Sequence, residues 1–545
     1  MIHNPVLPGF NPDPSILRVG DDYYIATSTF EWFPGVQIHH SRDLIIWRVL
    51  GYALDRESQV DLKGIEASGG VWAPCLSYDE KYQTFHLIYT IMRSTNGNYF
   101  DMDNYVVTAK DINGPWSDRI YLNSSGFDPS LFHDDDGRKW LVNLEWDFRE
   151  GYEHPGSIVI QEFDAEQNTL LRKPQSISRG ATDMGCLEAP HLYKRNGYYY
   201  MMTAEGGTGF GHGVAIARSR SLFGPYEPDP CNPIITSAKE VGLDRRGVDD
   251  YLKTYQFNPE SYLQKSGHGS LIETQTGEWY IAHLSARPLL PQVRSMLGRE
   301  TSIQRCEWTE DGWIRMAGGG CMAEEIVQPP RLQKHPFEKE SIREEFDSGL
   351  WNANLNSLRV PIDESWASLG ARPGFLRLRG RESLFSLHEQ SLIARRLQAF
   401  NVVFETSVEF DPDNFHEMAG LTLFYDQRMF YYLRIYYSGA LGGKSLGILY
   451  ADNGARTEMT ESRISIAEWE RVYLRGVIKQ GVLVFYGSPN GEEWMQVGPE
   501  LDASSDEYSS SGHFTGAFVG ICCQDSYRKN KNADFDYFEY RELEV

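Results

Sequence analysis

Short runs of alternating apolar and polar residues, many of them rich in aromatic side chains, follow one another along the chain. Glycine, aspartate, asparagine and proline bound most of these runs, and few segments keep apolar residues at the 3.6-residue spacing of a helix. Period-two alternation between turn residues is typical of β-strands. The pattern therefore predicts an all-β protein.

One sequence element recurs five times: a turn with aspartate or glycine, followed by an aromatic strand. It occurs at residues 21–29, 80–90, 136–145, 196–204 and 276–285. The copies begin about 55 to 80 residues apart, which suits a four-stranded blade with variable loops. We therefore predict a five-bladed β-propeller. An irregular array of β-sandwiches is the alternative that this spacing leaves open.

The repeat gives way at residues 326–338, where three prolines stand in a stretch without periodicity. Such a stretch is typical of a linker, so we predict a propeller domain over 1–325 and a second domain over 339–545. Alternating strands then resume and predict a β-sandwich of the concanavalin or jelly-roll kind. The stretch 238–264 lengthens the interval between the fourth and fifth copies. There we predict an inserted, partly helical loop near the propeller mouth.

The chain of 545 residues carries 52 lysines and arginines against 76 aspartates and glutamates, a formal net charge of −24 at pH 7. A surface this acidic repels phosphate backbones and anionic lipids, so we expect no nucleic-acid or membrane partner. The N-terminal MIHNPVLPGF lacks the basic and apolar regions of a secretory signal, and we expect a cytoplasmic location. Seven scattered cysteines without CxxC spacing argue against a disulfide framework or a cysteine metal site.

Three carboxylates stand close before prolines at the starts of apolar strands: Asp13 in NPDPS, Asp128 in GFDPS and Glu188 in LEAPH. The first strand of each propeller blade lines the central channel, so the three side chains are predicted to converge at one mouth. Asp-Pro is also a common turn device, and shared ancestry of the blades would equally explain the second DPS copy. Converging carboxylates are what glycoside hydrolysis requires, with one acid to protonate the leaving oxygen and one carboxylate to activate water or attack.

Several ordered motifs resemble glycoside hydrolase family 43, most closely its two-domain β-xylosidase and α-L-arabinofuranosidase members. The motifs are HNPVLPGFNPDPS, STFEWFPGV, GGVWAPCLSYD, GFDPSLFHDDDGR, EAPHLYKRNGYYYMMTAEGGTG, SGHGS and LGRETSIQ. They cover most of residues 1–325, and the C-terminal sandwich resembles the accessory domain of these enzymes. The chain differs from many β-xylosidase members in the 238–264 insertion and in having Glu188-Ala-Pro in place of Glu-Gly-Pro.

The resemblance implies Asp13 as the general base, Glu188 as the general acid and Asp128 as a third carboxylate that orients the acid. A neighbouring carboxylate that stays ionised would also raise the pKa of Glu188, and we expect Asp128 to be that neighbour. The resemblance further implies substrate-binding positions in the propeller and one position in the sandwich segment GHFTGAFVG. These positions are Phe30, Trp72, Ala73, Thr208, His268, Arg299 and Phe514.

No cofactor is expected for such an enzyme. Some family members hold a calcium ion with a water shell near the histidine that matches His268. The chain has no dedicated calcium loop such as an EF-hand, so we predict no metal ligands among its residues. The sequence leaves open whether a structural calcium ion lies near His268.

The resemblance predicts an inverting exo-glycosidase that releases xylose from the non-reducing end of β-1,4-xylo-oligosaccharides. Removal of α-L-arabinofuranosyl units is the alternative, either as an additional activity or as the main one. The expected partner is therefore a xylo-oligosaccharide or an arabinoxylo-oligosaccharide. The sequence leaves homo-oligomerisation open. Retaining fructosidases of family 32 are a rival with the same architecture, but the chain lacks their WMNDPNG-like motif. A sugar-binding propeller without catalytic activity is the rival from another class.

Overall fold

The computed structural model describes residues 1–152, 156–240, 253–504 and 514–544. The fold is all-β, as predicted. Helical structure in these ranges is confined to three single 3-10 turns, Asn96–Asn98, Thr254–Gln256 and Thr460–Ser462. Within the same ranges, we find no helix with the length and apolar character needed to span a bilayer.

Five antiparallel sheets of four principal strands form five propeller blades. Their strands, from the innermost outward, are Ser15–Val19, Asp22–Thr27, Gly35–Ser41 and Arg48–Leu54 (blade I); Gly70–Asp79, Thr84–Ser94, Asp101–Ala109 and Ile120–Asn123 (blade II); Ser130–His133, Lys139–Trp146, Gly156–Asp164 and Thr169–Ser178 (blade III); Glu188–Arg195, Tyr198–Glu205, Gly213–Ser219 and Glu227–Pro228, with Ile235–Thr236 (blade IV); Gln264–Glu273, Trp279–Ala286, Arg299–Trp308 and Ile314–Met316 (blade V). The first strands of neighbouring blades contact one another around the central axis. The five-bladed prediction is confirmed.

Each recurring aromatic element forms the second strand of a blade. Blade IV shows why the preceding turn is so regular. Asn196 and Gly197 join two strands with φ angles of 48° and 73°, the left-handed pair that a two-residue type I′ hairpin needs. Asparagine and glycine adopt this conformation at little steric cost, so the sequence determines the hairpin locally.

The two ends of the propeller segment meet in a short sheet. Ile2–His3 pairs antiparallel with Ile326–Val327, and Leu7 forms a bridge with Thr301 of blade V. The first two residues of the predicted linker 326–338 are therefore in a strand. A strand of two residues is too short to show alternation, which is why the sequence pattern did not predict it.

The C-terminal part contains two packed antiparallel sheets whose inner faces form the largest apolar core. The first sheet runs in the order Ala367–Ser368, Leu376–Arg379, Asn532–Glu542, Asn401–Glu409, Val472–Lys479, Val482–Ser488 and Met495–Asp502, with Arg343–Glu344 paired to Asn532–Glu542. The second runs in the order Ala455–Glu458, Gly443–Asp452, Met429–Ser438, Glu417–Asp426, Phe518–Asp525, Ser391–Arg396, Asn356–Leu358 and Trp32–Phe33, with Ile464–Ser465 paired to Gly443–Asp452. A β-sandwich follows the propeller, as predicted.

One strand of the second sheet comes from the propeller segment. Trp32–Phe33 pairs with Asn356–Leu358, and the Trp32 ring stacks on Phe518 with centroids 3.7 Å apart and planes inclined by 14°. Trp32 is fully buried. The sequence pattern assigns these residues to the propeller alone, whereas a shared strand and a shared aromatic core join the two parts next to Phe30.

Candidate active site

The inner strands of all five blades begin in the same unusual way. One residue near the start of each strand has a left-handed backbone, namely Asp13, Ala73, Asp128, Ala189 and His268, with φ between 35° and 56°. Such φ values are uncommon for residues other than glycine and concentrate at functional sites. In blades I to IV the next residue is proline. The repeated kink brings chemically different side chains to equivalent places around one end of the axis.

A cavity of about 430 Å³ opens at this end of the propeller. Its volume lies within the range of about 300 to 1,000 Å³ typical of small-ligand sites. It brings together all three predicted carboxylates and six of the seven predicted binding residues. The lining residues are Asp13, Phe30, Trp72, Thr95, Asn98, Phe100, Phe127, Asp128, Trp146, Cys186, Glu188, Gly207, Thr208, His268, Arg299 and Phe514.

Asp13 is surrounded by groups that favour its ionised form. Ser28 donates a hydrogen bond to Asp13 Oδ2 over 2.7 Å, and Arg299 Nη1 lies 3.3 Å and His268 Nδ1 3.6 Å from Asp13 Oδ1. Burial opposes ionisation, but the nearby cation, the imidazole and the hydroxyl donor outweigh it and hold the pKa of Asp13 below its ordinary 3.8. A carboxylate that stays ionised near neutral pH can accept a proton from water.

Glu188 has the opposite environment. Burial, reinforced by the negative charge of Asp13 and only partly offset by Arg299, raises the pKa of Glu188 to about 7. The group therefore keeps its proton in mildly acidic solution and can donate it to a leaving oxygen. Two carboxyl groups with opposed protonation thus face one cavity.

The structure corrects the expectation for Asp128. Its Oδ2 accepts a hydrogen bond from the Ala189 backbone N–H over 3.1 Å. Burial and the charges of Glu188 and Asp13 nevertheless raise the pKa of Asp128 well above 3.8. The charge that raises the Glu188 pKa is not that of Asp128. Asp13 supplies the charge that raises the Glu188 pKa.

Aromatic rings from both parts of the chain form the cavity walls. Phe30 and Trp72 pack with centroids 5.8 Å apart, and Phe514 of the sandwich meets Trp72 edge to face at 6.4 Å. The Arg299 guanidinium lies between Phe30 and Phe514, 5.5 and 5.3 Å from their centroids. The predicted location of Phe514 at the mouth agrees with this geometry, and the ring closes the cavity on the sandwich side.

Comparison with known sequences relates this architecture to a family. A profile of glycosyl hydrolases family 43 matches residues 2–314, and a profile of the β-xylosidase C-terminal concanavalin A-like domain matches residues 343–541. The chain belongs to glycoside hydrolase family 43. Family 43 membership makes the protein a glycoside hydrolase, which decides against both the family 32 alternative and a propeller that only binds sugar.

Relatives of this family 43 enzyme match it over nearly their whole length. A β-xylosidase from Bacillus subtilis (strain 168) is 45% identical, with 99% of each chain covered. Xylosidase/arabinosidase 43B from Humicola insolens is 43% identical, with 100% of this chain and 98% of the relative covered. The crystal structure of xylan β-1,4-xylosidase from Bacillus halodurans C-125 superimposes with a TM-score of 0.93 at 51% identity, covering 99% of this chain and 100% of the other.

Ala73 is the predicted binding residue that does not line the cavity of this family 43 enzyme. Its backbone N–H donates to Ser28 Oγ over 2.7 Å, and the same hydroxyl donates to Asp13. Ala73 therefore lies behind the cavity wall. Its N–H orients the Ser28 hydroxyl, which donates to Asp13. Ala73 occupies the position in blade II that Asp13 occupies in blade I. Its methyl side chain is too short to reach a substrate.

Ser68 holds two of the cavity rings in place, and no sequence motif pointed to it. Its Oγ accepts the Phe514 N–H over 2.9 Å, and its carbonyl accepts the Trp72 indole N–H over 2.9 Å. Its own N–H donates to Glu31 Oε2 over 3.2 Å. One serine thus links a propeller ring, a sandwich ring and a buried carboxyl group, and no motif around a single serine predicts three such contacts.

A second group of rings, Phe100, Phe127 and Trp146, lines the cavity and was not predicted from the sequence. The rings of Phe100 and Trp146 stack with centroids 4.0 Å apart and an angle of 11°, and Phe127 meets Trp72 edge to face at 5.7 Å. Phe127 directly precedes Asp128 in the motif GFDPS, so its place beside the carboxylate could have been predicted from the sequence. Phe100 lies outside every motif quoted for the family and is placed there only by the fold.

Part of the predicted insertion 238–264 lies outside the described residues, at 241–252. The described remainder contains the single 3-10 turn Thr254–Gln256. Lys253 Nζ donates to the Met184 carbonyl over 3.0 Å, two residues before Cys186 of the cavity wall. The C-terminal end of the insertion therefore contacts the loop that leads to Glu188.

The groups around His268 decide whether the protein itself can coordinate a metal ion there. In the described ranges, no cluster of three or more histidine, cysteine, aspartate or glutamate side chains is arranged to hold a metal ion. The neighbours of His268 include Asp13 and the Arg299 cation. Calcium prefers six to eight oxygen ligands, so this donor set does not fit direct coordination of calcium by the protein.

Proposed function

We propose that this family 43 enzyme is an inverting exo-β-xylosidase that releases xylose from the non-reducing end of β-1,4-xylo-oligosaccharides. The observation that carries the proposal is the split within one cavity between a carboxylate held ionised, Asp13, and a carboxyl group held protonated, Glu188. Ring walls and a side closed by Phe514 suit one terminal sugar better than the middle of a long chain. The names of the Bacillus relatives support xylose as that sugar.

In the proposed reaction, Asp13 accepts a proton from water as the water oxygen bonds to the anomeric carbon. Glu188 donates its proton to the glycosidic oxygen as the bond from that oxygen to the anomeric carbon breaks. The products are xylose of inverted configuration and a shortened alcohol, and solvent restores both carboxyl groups. The atoms balance without a cofactor.

Asp128 is proposed as a positioning residue for the acid. The Ala189 N–H that binds Asp128 belongs to the residue after Glu188, so the two carboxyl groups are tied through one backbone segment. Shared burial and mutual repulsion favour retention of a proton by this pair. The proton is therefore available where the leaving oxygen is expected to lie.

The activity of the free enzyme is expected to decline above about pH 7. Glu188 must be protonated to act, and its raised pKa of about 7 sets the alkaline limb of kcat/KM on xylobiose. Asp13 must be ionised, and its lowered pKa moves the acidic limb below pH 4. With a dinitrophenyl xyloside, whose leaving group needs no proton, the alkaline limb is expected to flatten. A plateau that extends to pH 9 on xylobiose would contradict the assignment of the acid.

Phe514→Ala is expected to raise KM for xylobiose about threefold to tenfold, because a ring at the mouth is lost from the binding surface. A nitrophenyl xyloside reports on the same site with a different second group, and its KM is expected to change less. Phe415→Ala is the matched control, since Phe415 is an exposed sandwich ring outside the cavity. An unchanged KM for xylobiose in folded Phe514→Ala protein would remove the sandwich from the binding site.

A second activity on α-L-arabinofuranosides is proposed because the Humicola insolens relative is named for both sugars. A panel of nitrophenyl glycosides tests the proposed function: nitrophenyl β-D-xyloside is expected to be the best substrate, with nitrophenyl α-L-arabinofuranoside second. Turnover of another glycoside alone would overturn the xylosidase proposal.

We also propose a cytoplasmic location, which agrees with seven unpaired cysteine thiols.

A further inference from the structure

A second, smaller cavity lies between the propeller and the sandwich, away from the carboxylates. Its volume is about 20 Å³. Its polar lining comes from both sides, with Asn11, Gln37 and His39 from the propeller and Arg395, Arg396 and Gln398 from the sandwich. A cavity of about 10 to 15 Å³ already holds one water-sized particle, so this space admits a single small occupant.

Arg396 is buried beside this cavity with part of its guanidinium unused. It is 5% exposed. Its Nε donates to the Phe10 carbonyl over 2.7 Å, and its Nη1 donates to Asn356 Oδ1 over 2.8 Å. Its Nη2 has no hydrogen-bond partner in the described structure. Both acceptors that it does use are neutral, so they leave its charge uncompensated.

Arg395 adds a second cation to the same lining. Its Nη2 donates to Gln398 Oε1 over 2.9 Å, and its guanidinium lies 4.0 Å from the Tyr540 ring centroid. Its buried Nε lacks a hydrogen-bond partner among the described residues. In the described ranges, neither Arg395 nor Arg396 has a carboxylate oxygen within the 4.0 Å of an ion pair.

Arg395 is only partly buried and feels the negative charges of Glu340 and Glu542. The buried Arg396 is the costly group, because burial of a charge is tolerated mainly when an opposite charge or a full set of hydrogen bonds compensates it. His39 adds no negative charge and accompanies them as a neutral ring, since burial lowers its pKa to about 3. We propose that this cavity binds one small monovalent anion of halide size, held by the free Nη2 N–H group of Arg396, with Arg395 as a second cation in the lining.

A water molecule is the competing occupant. Gln37 Oε1 is buried without a partner, while its amide nitrogen donates to the Tyr52 hydroxyl over 2.8 Å. Water would satisfy this oxygen and one guanidinium N–H, but it would leave the positive charge of the buried Arg396 uncompensated. With the carboxamide turned over, its NH₂ group would face the anion instead, since amide oxygen and nitrogen are interchangeable in shape. The Tyr52 hydroxyl, which donates to the Ala353 carbonyl over 2.9 Å, would then turn its proton toward the Gln37 oxygen.

The proposed anion site contacts segments that lead to the active-site cavity. The Phe10 carbonyl that binds Arg396 lies three residues before Asp13, and the Asn11 N–H donates to the Arg299 carbonyl over 2.9 Å. The anion would therefore connect the sandwich strand Ser391–Arg396 to the segment that leads to Asp13.

Bromide diffraction on the unmodified protein tests the proposal directly. Crystals soaked in sodium bromide are expected to show an anomalous difference peak in this cavity, within hydrogen-bond distance of Arg396 Nη2. Density without an anomalous signal at this place would identify water and overturn the proposal.

Thermal unfolding gives a second measurement in solution. At equal ionic strength, the unfolding midpoint is expected to be about 1 to 3 °C higher in sodium chloride than in sodium gluconate, because gluconate is too large for the cavity. Arg396→Gln is expected to abolish this difference between the salts. Arg475→Gln is the matched control, since Arg475 is a sandwich arginine with a carboxylate partner, Glu405, at 2.6 Å. Equal midpoints in the two salts for the unmodified protein, or a difference that survives in Arg396→Gln, would also overturn the proposal.

Discussion

Replacing Glu188 with glutamine is expected to lower kcat/KM on xylobiose by about 10² to 10⁴-fold, the usual contribution of a general acid. Glutamine keeps the shape of the side chain but has no proton to donate to the departing sugar oxygen. A dinitrophenolate leaves without a proton, so the same variant is expected to retain much of its activity on dinitrophenyl xyloside. The ratio of the two losses measures how much the leaving group depends on Glu188.

Glu227→Gln is the matched control for this prediction. Glu227 lies in the outermost strand of the same blade and is exposed, so its replacement tests the chemical change without touching the cavity. We expect activity on both substrates close to that of the unmodified enzyme. Equal large losses for Glu188→Gln on xylobiose and on dinitrophenyl xyloside, in folded protein, would show that the general acid is another residue.

Replacing Asp13 with asparagine is expected to lower kcat by about 10² to 10⁴-fold or more on every substrate, since each one needs the water molecule to be deprotonated. The substitution also removes the charge that raises the Glu188 pKa. We therefore expect the residual activity on xylobiose to show its alkaline limb below pH 7. An alkaline limb that stays at about pH 7 would show that the Asp13 charge does not raise the Glu188 pKa.

Asp21→Asn is the control for the base, because Asp21 is an exposed residue in the first hairpin of the same blade. Its activity is expected to be unchanged. If Asp13→Asn spared dinitrophenyl xyloside while it abolished activity on xylobiose, Asp13 would serve the leaving group and not the water. That outcome would exchange the proposed roles of the two carboxyl groups.

The sequence was informative where a local pattern decides the structure. The aromatic element at 196–204 follows an Asn-Gly turn, and both its strand and its hairpin could be predicted from those few residues. The repeated DPS motifs predicted that Asp13 and Asp128 start equivalent inner strands, which the structure shows. Five-fold repetition then placed the carboxylates at one end of the axis.

The sequence was less informative where distant segments meet. The ionisation of Asp128 depends on Glu188 and Asp13 together, and the three carboxyl groups come from three different blades. The stacked rings of Phe100 and Trp146 belong to blade II and blade III segments that only the fold brings together. The strand Trp32–Phe33 joins the sandwich because its partner, Asn356–Leu358, lies more than 300 residues away.

The propeller and the sandwich together form the wall of the cavity in this enzyme. Phe514 reaches the cavity from the sandwich, and its carbonyl accepts a weak hydrogen bond from Arg299 Nε over 3.4 Å. Arg299 in turn contacts Asp13. The sandwich thus influences both the shape of the mouth and the electrostatic environment of the base.

The stereochemistry of xylose release tests the central claim most directly. Proton NMR spectra recorded during the first minutes of xylotriose hydrolysis, before the sugar equilibrates in water, distinguish the two anomers. An inverting exo-β-xylosidase with Asp13 as base is expected to produce α-xylose first, together with xylobiose. Initial accumulation of β-xylose would contradict the account, because it would require a carboxylate to attack the sugar and retain its configuration.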